Sequence, residues 1–133
     1  MMNKQIFMII DDDADDRTFF KEALKKMHPS YVCLEANGGF EALQELRKAK
    51  KLPNFIFLDI NMPRMDGREC LKELKKDAKL THIPVIMYST SFTDKSIADF
   101  RKLGASSHLN KPSDIKKLPE LILIAMTKSI KLG

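Results

Sequence analysis

The sequence predicts an α/β fold: a doubly wound parallel sheet of five strands, with five helices over both faces. Three observations predict it. Short apolar runs alternate with amphipathic helical stretches along all 133 residues, and strict βα alternation implies a parallel sheet. The third run, Phe55-Ile56-Phe57-Leu58, is apolar throughout, as a central strand covered on both faces is. Acidic and polar residues follow directly after the runs, at the carboxyl edge where such sheets bind ligands.

The first run, Ile6 to Ile10, has the length of a buried strand and ends in an acidic cluster. Phe19, Phe20, Ala23, Leu24 and Met27 then recur on one helical face until His28-Pro29 stops the helix. Tyr31-Val32-Cys33-Leu34 reads as the second strand. Gly38-Gly39 opens a second helix with Phe40, Leu43 and Leu46 expected inward, and Pro53-Asn54 ends that segment. After the third strand comes a loop with Pro63 and Asp66-Gly67, then a third helix carrying Leu71 and Leu74. Pro84 introduces the fourth strand, Val85 to Tyr88. Thr93 or Asp94 can cap a fourth helix with Ile97, Phe100 and Leu103 inward, and Gly104 is placed to end it. Ser107-His108-Leu109 is a short fifth strand. The last helix starts near Leu118, with Pro119 in its first turn, and runs to about Ile130.

These elements make one domain over residues 1–133, with no linker or low-complexity tract. At 44% hydrophobic and 31% charged residues the chain has enough apolar material for a core, which excludes overall disorder. Its longest apolar runs, such as Leu121 to Met126, fall far short of the about 20 residues a bilayer requires. The start, Met1 to Gln5, leads into a stretch too short for a signal peptide, so a cytoplasmic protein without membrane attachment is expected. Net charge is +5, but the lysines scatter along helix faces, as in Lys21/Lys25/Lys26 and Lys72/Lys75/Lys76. Without an aromatic platform or a basic helix, no nucleic-acid partner is expected. Cys33 and Cys70 stand far apart with no CxxC partner and read as reduced thiols in or near the core.

Four strand ends deliver polar groups to one rim: Asp11-Asp12-Asp13, Asp59, Ser89-Thr90 and Asn110-Lys111. Clustered carboxylates repel one another when ionised, so such a site invites a cation. Oxygen ligands with no nearby His or Cys argue for Mg²⁺ over zinc. A lysine can neutralise a phosphoryl oxygen, a serine hydroxyl can donate to another, and an aspartate can form an acyl phosphate. The chemistry that fits is magnesium-assisted phosphoryl transfer. Taken singly, each residue has a plainer reading: Asp11 and Asp12 as helix caps, Ser89 as a strand-end serine, Lys111 as a surface lysine, Asn61 as a turn residue. Asp13, Asp15 and Asp16 are assigned to the N-terminus of the first helix, where negative charge meets the macrodipole.

Met8-Ile9-Ile10-Asp11-Asp12, Phe57-Leu58-Asp59-Ile60-Asn61-Met62-Pro63 with Asp66-Gly67, Pro84 to Ser89, and Asn110-Lys111-Pro112 closely resemble the receiver domains of bacterial response regulators. The resemblance covers nearly the whole chain. The spacings also match: 52 residues from Asp59 to Lys111 and 30 from Asp59 to Ser89. It implies the flavodoxin-like (CheY-like) strand order 2-1-3-4-5. It implies Asp59 as phosphoacceptor, with Asp12, Asp59 and the Asn61 backbone carbonyl as Mg²⁺ ligands and Asp11 acting indirectly, through a bound water or by positioning the metal. Lys111 would pair with a phosphoryl oxygen, Ser89 would be the switch hydroxyl, and Asn61 and Ser91 would modulate dephosphorylation. Lys111-Pro112 is a candidate cis peptide on the same ground. The sequence departs from the family where Thr gives way to Ser89 and where the switch aromatic gives way to His108.

The resemblance implies a stand-alone response regulator, phosphorylated by a sensor histidine kinase or a histidine phosphotransfer protein. It would be a signalling phosphoacceptor rather than an enzyme, with self-catalysed phosphorylation and dephosphorylation at most. A downstream target protein would bind the face of the fourth helix, fifth strand and fifth helix, where Lys102, His108, Lys116 and Lys117 lie. The resemblance is also compatible with a homodimer. An alternative is a magnesium-dependent phosphohydrolase with an aspartyl-phosphate intermediate, although Asn61 stands where such enzymes need a second aspartate. A phosphorylation-independent scaffold is a third reading, opposed by the retained chemistry at all five functional positions.

Overall fold

The computed structural model describes residues 4–132; the first part of the leader reading, residues 1–3, lies outside them. Strands β1 (Ile6–Ile10), β2 (Val32–Ala36), β3 (Phe55–Asp59), β4 (Val85–Ser89) and β5 (Ser107–Asn110) alternate with helices α1 (Ala14–Met27), α2 (Gly39–Lys48), α3 (Gly67–Lys76), α4 (Asp94–Lys102) and α5 (Leu118–Leu132). A single 3-10 turn over Ile115–Lys117 leads into α5. The strands form one parallel sheet in the order β2-β1-β3-β4-β5. Among the described residues no helix is long and apolar enough to cross a membrane.

Strand side chains point alternately to opposite faces, so each strand feeds two cores. Phe7, Ile9, Phe55, Phe57, Ile86, Tyr88 and Leu109 pack beneath α1 and α5. Met8, Ile10, Ile56, Leu58, Val85 and Met87 pack beneath α2, α3 and α4. β1, β3 and β4 are almost wholly buried, which is why their sequences are apolar without alternation. Fully burying each such large side chain contributes about 1.5–3 kcal/mol before chain entropy is charged.

Local signals set the helix ends. Asp13 caps α1 by accepting from the Asp16 amide at 3.0 Å. Asp66 and Glu69 form a capping box at α3, and Thr93 and Ser96 another at α4. Gly104 ends α4 at φ 111°, with its amide bonded to the Arg101 carbonyl and the Ala105 amide to the Phe100 carbonyl, the paired bonds of a Schellman stop.

Two expectations need correction. The second strand lies at Val32–Ala36, displaced toward the carboxyl end, because it pairs with the whole of β1 in register from Ile6↔Val32 to Ile10↔Ala36. Phe40 does not point inward: it is 48% exposed, while Ala42, Leu43 and Leu46 supply the buried face of α2. The Arg64 guanidinium instead lies 5.6 Å from the Phe40 ring centroid and pairs with Glu41 at 2.7 Å. Cys33 and Cys70 are free thiols as expected, and burial pushes both up to about 12.

Candidate functional site

In this strand order the chain leaves β1 for one side of the sheet and β3 for the other, which opens a crevice at their carboxyl ends. Ile10 pairs with Leu58, so Asp11 and Asp59 emerge side by side. Asp11 is fully buried and Asp59 is 6% exposed, whereas Asp12 faces solvent. Each of the three offers a carboxylate oxygen, and these oxygens lie within 4.8 Å of one another.

Asp11 is fixed from several directions. Its amide donates to the Ala36 carbonyl, one carboxylate oxygen accepts from the Asp13 amide at 2.9 Å, and its carbonyl accepts from Arg17 at 2.7 Å. Its other carboxylate oxygen accepts from Lys111 Nζ at 2.9 Å. The Lys111 ammonium also lies 3.6 Å from Asp59 Oδ1 and 5.0 Å from the Tyr88 ring centroid. At the other end of the residue, the Lys111 amide donates to the Ser89 carbonyl at 2.7 Å and ties the β5 exit to β4.

Electrostatics follow from this crowding. Burial, then the charge of Asp11, push the Asp59 carboxyl up to about 7; the Lys111 ammonium only partly offsets them. Burial alone would lower Lys111, but its hydrogen bonds to Asp16 and Asp11 prevail and hold it above the ordinary lysine value. A buried carboxylate that ionises reluctantly beside two others is a site short of positive charge. The donors are hard oxygens, which fits a divalent cation of the magnesium or manganese kind.

Ser89 is 2% exposed, and its hydroxyl closes a turn with Ser91, donating to the Ser91 carbonyl and accepting from its amide, both at 3.3 Å. Asn61 and Ser91 are exposed at the rim. His108 lies on the α4 side of β5, its ring 4.9 Å from Phe92, and burial together with Lys128 and Arg101 lowers its pKa. The structure therefore brings Asp11, Asp12, Asp59 and Lys111 into one cluster and leaves His108 on a different surface.

Lys111-Pro112 is trans, contrary to expectation, since the described residues contain no cis peptide bond. The lysine reaches inward without one, drawn by the buried carboxylates. Asp16 stands in the first turn of α1 with Asp15, behind the Asp13 cap, as expected, but it also has a partner the sequence does not show: its carboxylate accepts from Lys111 Nζ at 2.9 Å. An acidic side chain three residues after a cap normally reaches back to the cap amide. Here Asp11 already occupies that amide, a tertiary arrangement no linear pattern carries.

A family model described as the response regulator receiver domain matches residues 7–123. The chain belongs to that family. This receiver domain is a phosphoacceptor signalling module of the two-component type. It is 31% identical over 127 residues to the sensor histidine kinase CheAY of Helicobacter pylori, covering 96% of this chain but spanning only 15% of the kinase. The phosphorylated cyanobacterial phytochrome response regulator RcpA superposes with TM-score 0.81 at 28% identity, covering 97% of this chain and 92% of that one. The manganese-bound form of response regulator Rcp1 gives TM-score 0.78 at 26% identity, covering 97% and 95%. The phosphohydrolase alternative gains no support from the family match, and Asn61 offers no second acidic group.

Proposed function

We propose that Asp59 of this receiver domain accepts a phosphoryl group from a phosphohistidine on a sensor kinase or a histidine phosphotransfer protein. One observation carries the reading: Asp59 is buried beside Asp11, Asp12 and Lys111, which supply a cation cradle and an ammonium to the same carboxylate. An Asp59 oxygen forms the new P–O bond as the P–N bond breaks, and the electron pair of that bond stays with the departing imidazole. Asp12, Asp59 and the Asn61 carbonyl would hold Mg²⁺, with Asp11 acting through water; the manganese form of Rcp1 supports a cation in this fold. The bound ion supplies charge neutralisation for the phosphoryl oxygens. Lys111 pairs with one of those oxygens, and Ser89, released from its turn with Ser91, donates to another.

Output then runs through the α4-β5-α5 face, where His108 packs on Phe92, toward a downstream protein in the cytoplasm. Asn61 and Ser91, both exposed at the rim, would set how readily water reaches the acyl phosphate. Incubation with acetyl phosphate and Mg²⁺ tests the core of this reading by intact mass and peptide mapping. A phosphoryl group on residue 59, absent in Asp59→Asn, is the expected result; labelling elsewhere, or none, overturns it.

A further inference from the structure

The Lys111 ammonium has two full-strength partners before any phosphoryl group arrives. Asp11 and Asp16 each accept from Nζ at 2.9 Å, while Asp59 lies further off at 3.6 Å. The lysine side chain is 12% exposed and that of Asp16 is 32% exposed. Asp16 is free for this contact because the cap amide of α1 is bonded to Asp11. Its own amide is anchored on Asp13, which fixes the carboxylate one turn into the helix and aims it at the lysine. Asp11 also belongs to the carboxylate trio suited to a cation, whereas Asp16 does not. Asp16 therefore touches the phosphoryl-binding lysine without serving the cation cradle.

We propose that Asp16 is a positioning residue that holds Lys111 in the resting state and competes with the phosphoryl group for its ammonium. The inference rests on the phosphoacceptor reading of Asp59. An ammonium offers three protons. In the resting state two of them are committed to Asp11 and Asp16. A phosphoryl oxygen on Asp59 must draw the ammonium toward it, and the contact that yields is the half-open one to Asp16. Asp16 thereby keeps the lysine oriented near Asp59 and raises the threshold for occupying the phosphoryl site.

Beryllofluoride, a stable phosphoryl mimic, tests this by titration calorimetry in excess Mg²⁺. Asp16→Asn keeps the shape but loses the charge, and its affinity for the mimic is expected to rise roughly three- to tenfold, the scale of one part-solvated charge-assisted hydrogen bond. Asp16→Glu is expected to return affinity toward wild type. Asp15→Asn makes the same charge change in the same turn with no lysine contact and should leave affinity unchanged. The Lys111 ammonium resonance of the ligand-free protein gives a second readout, with faster proton exchange expected in Asp16→Asn. Unchanged or weaker binding in Asp16→Asn, an equal gain in Asp15→Asn, or an unaltered lysine resonance overturns the proposal. Wild-type protein that fails to bind beryllofluoride, or Asp59→Asn that binds it equally well, overturns the phosphoacceptor reading itself.

Discussion

Gly67 opens α3 directly beneath Asp59: a Cβ added there would collide with the Asp59 carbonyl oxygen and lie 2.7 Å from Ile60 Cα. The Gly67 amide donates to the Ile60 carbonyl at 2.7 Å, closing the loop that carries Asn61, Met62 and Pro63. The phosphoacceptor strand and the next helix thus touch backbone to backbone, and no side chain fits between them.

Gly67→Ala puts two principles in opposition. Helix propensity alone favours alanine by about 1 kcal/mol. Overlap with backbone, which cannot swing aside as a flexible side chain can, costs about 2–4 kcal/mol. Net destabilisation is expected in a urea melt, with weaker binding of beryllofluoride because the Asp59 carbonyl must shift. A stabilised variant would show that the close approach does not exist in solution.

Asp59→Asn should change how stability depends on pH. The folded carboxyl titrates at about 7 against an ordinary 3.8, so between those values the native chain binds more protons than the unfolded one. Stability from this group is therefore highest below about 4 and falls as pH rises toward about 7, with the full penalty above that. In metal-free buffer the advantage of the Asn variant over wild type should be small at pH 4 and grow to a few kcal/mol at pH 8. Urea melts at the two pH values check this; a gain independent of pH would point to packing rather than charge.

Much of this was legible in the linear sequence, for physical reasons. The apolar runs of β1, β3 and β4 announce strands because both faces are buried, and Asp11, Asp12, Asp59, Ser89 and Lys111 stand at strand ends, where parallel sheets collect their ligands. The failures are tertiary. Phe40 looked like a core residue by period, but the left-handed Arg64, at φ 68°, brings a guanidinium over its outward face. β2 shifted because its register is dictated by β1 rather than by its own apolar content. Asp16 read as one more acid at a helix start, and only the occupied cap amide of Asp13 turns it toward Lys111.

Magnesium should stabilise wild-type protein, because the assembled carboxylates exist only in the folded chain. At a concentration a hundredfold above the dissociation constant the gain is about 2.7 kcal/mol. Asp12→Asn should abolish most of that gain. Without metal it should melt no lower than wild type and slightly higher, since it removes one of the charges repelling Asp59. Thermal melts with and without millimolar Mg²⁺ decide it, and a wild type indifferent to the ion removes the cation assignment.

Lys111→Met tests the ammonium from the structural side. Methionine preserves much of the aliphatic length over Tyr88 but leaves buried Asp11 without its counter-charge and Asp59 further from neutralisation. Removing one partner from a buried pair leaves the other charge uncompensated, so a loss of about 2–4 kcal/mol is expected in metal-free buffer at neutral pH. Neutralising Asp11 as well should recover part of it. The double variant Lys111→Met/Asp11→Asn is therefore expected to be more stable than Lys111→Met alone, a non-additivity that two residues in direct contact produce and two independent ones do not. Additive losses in the four-way cycle would mean that Lys111 stabilises the site through its stem and its backbone bond to Ser89 rather than through its charge.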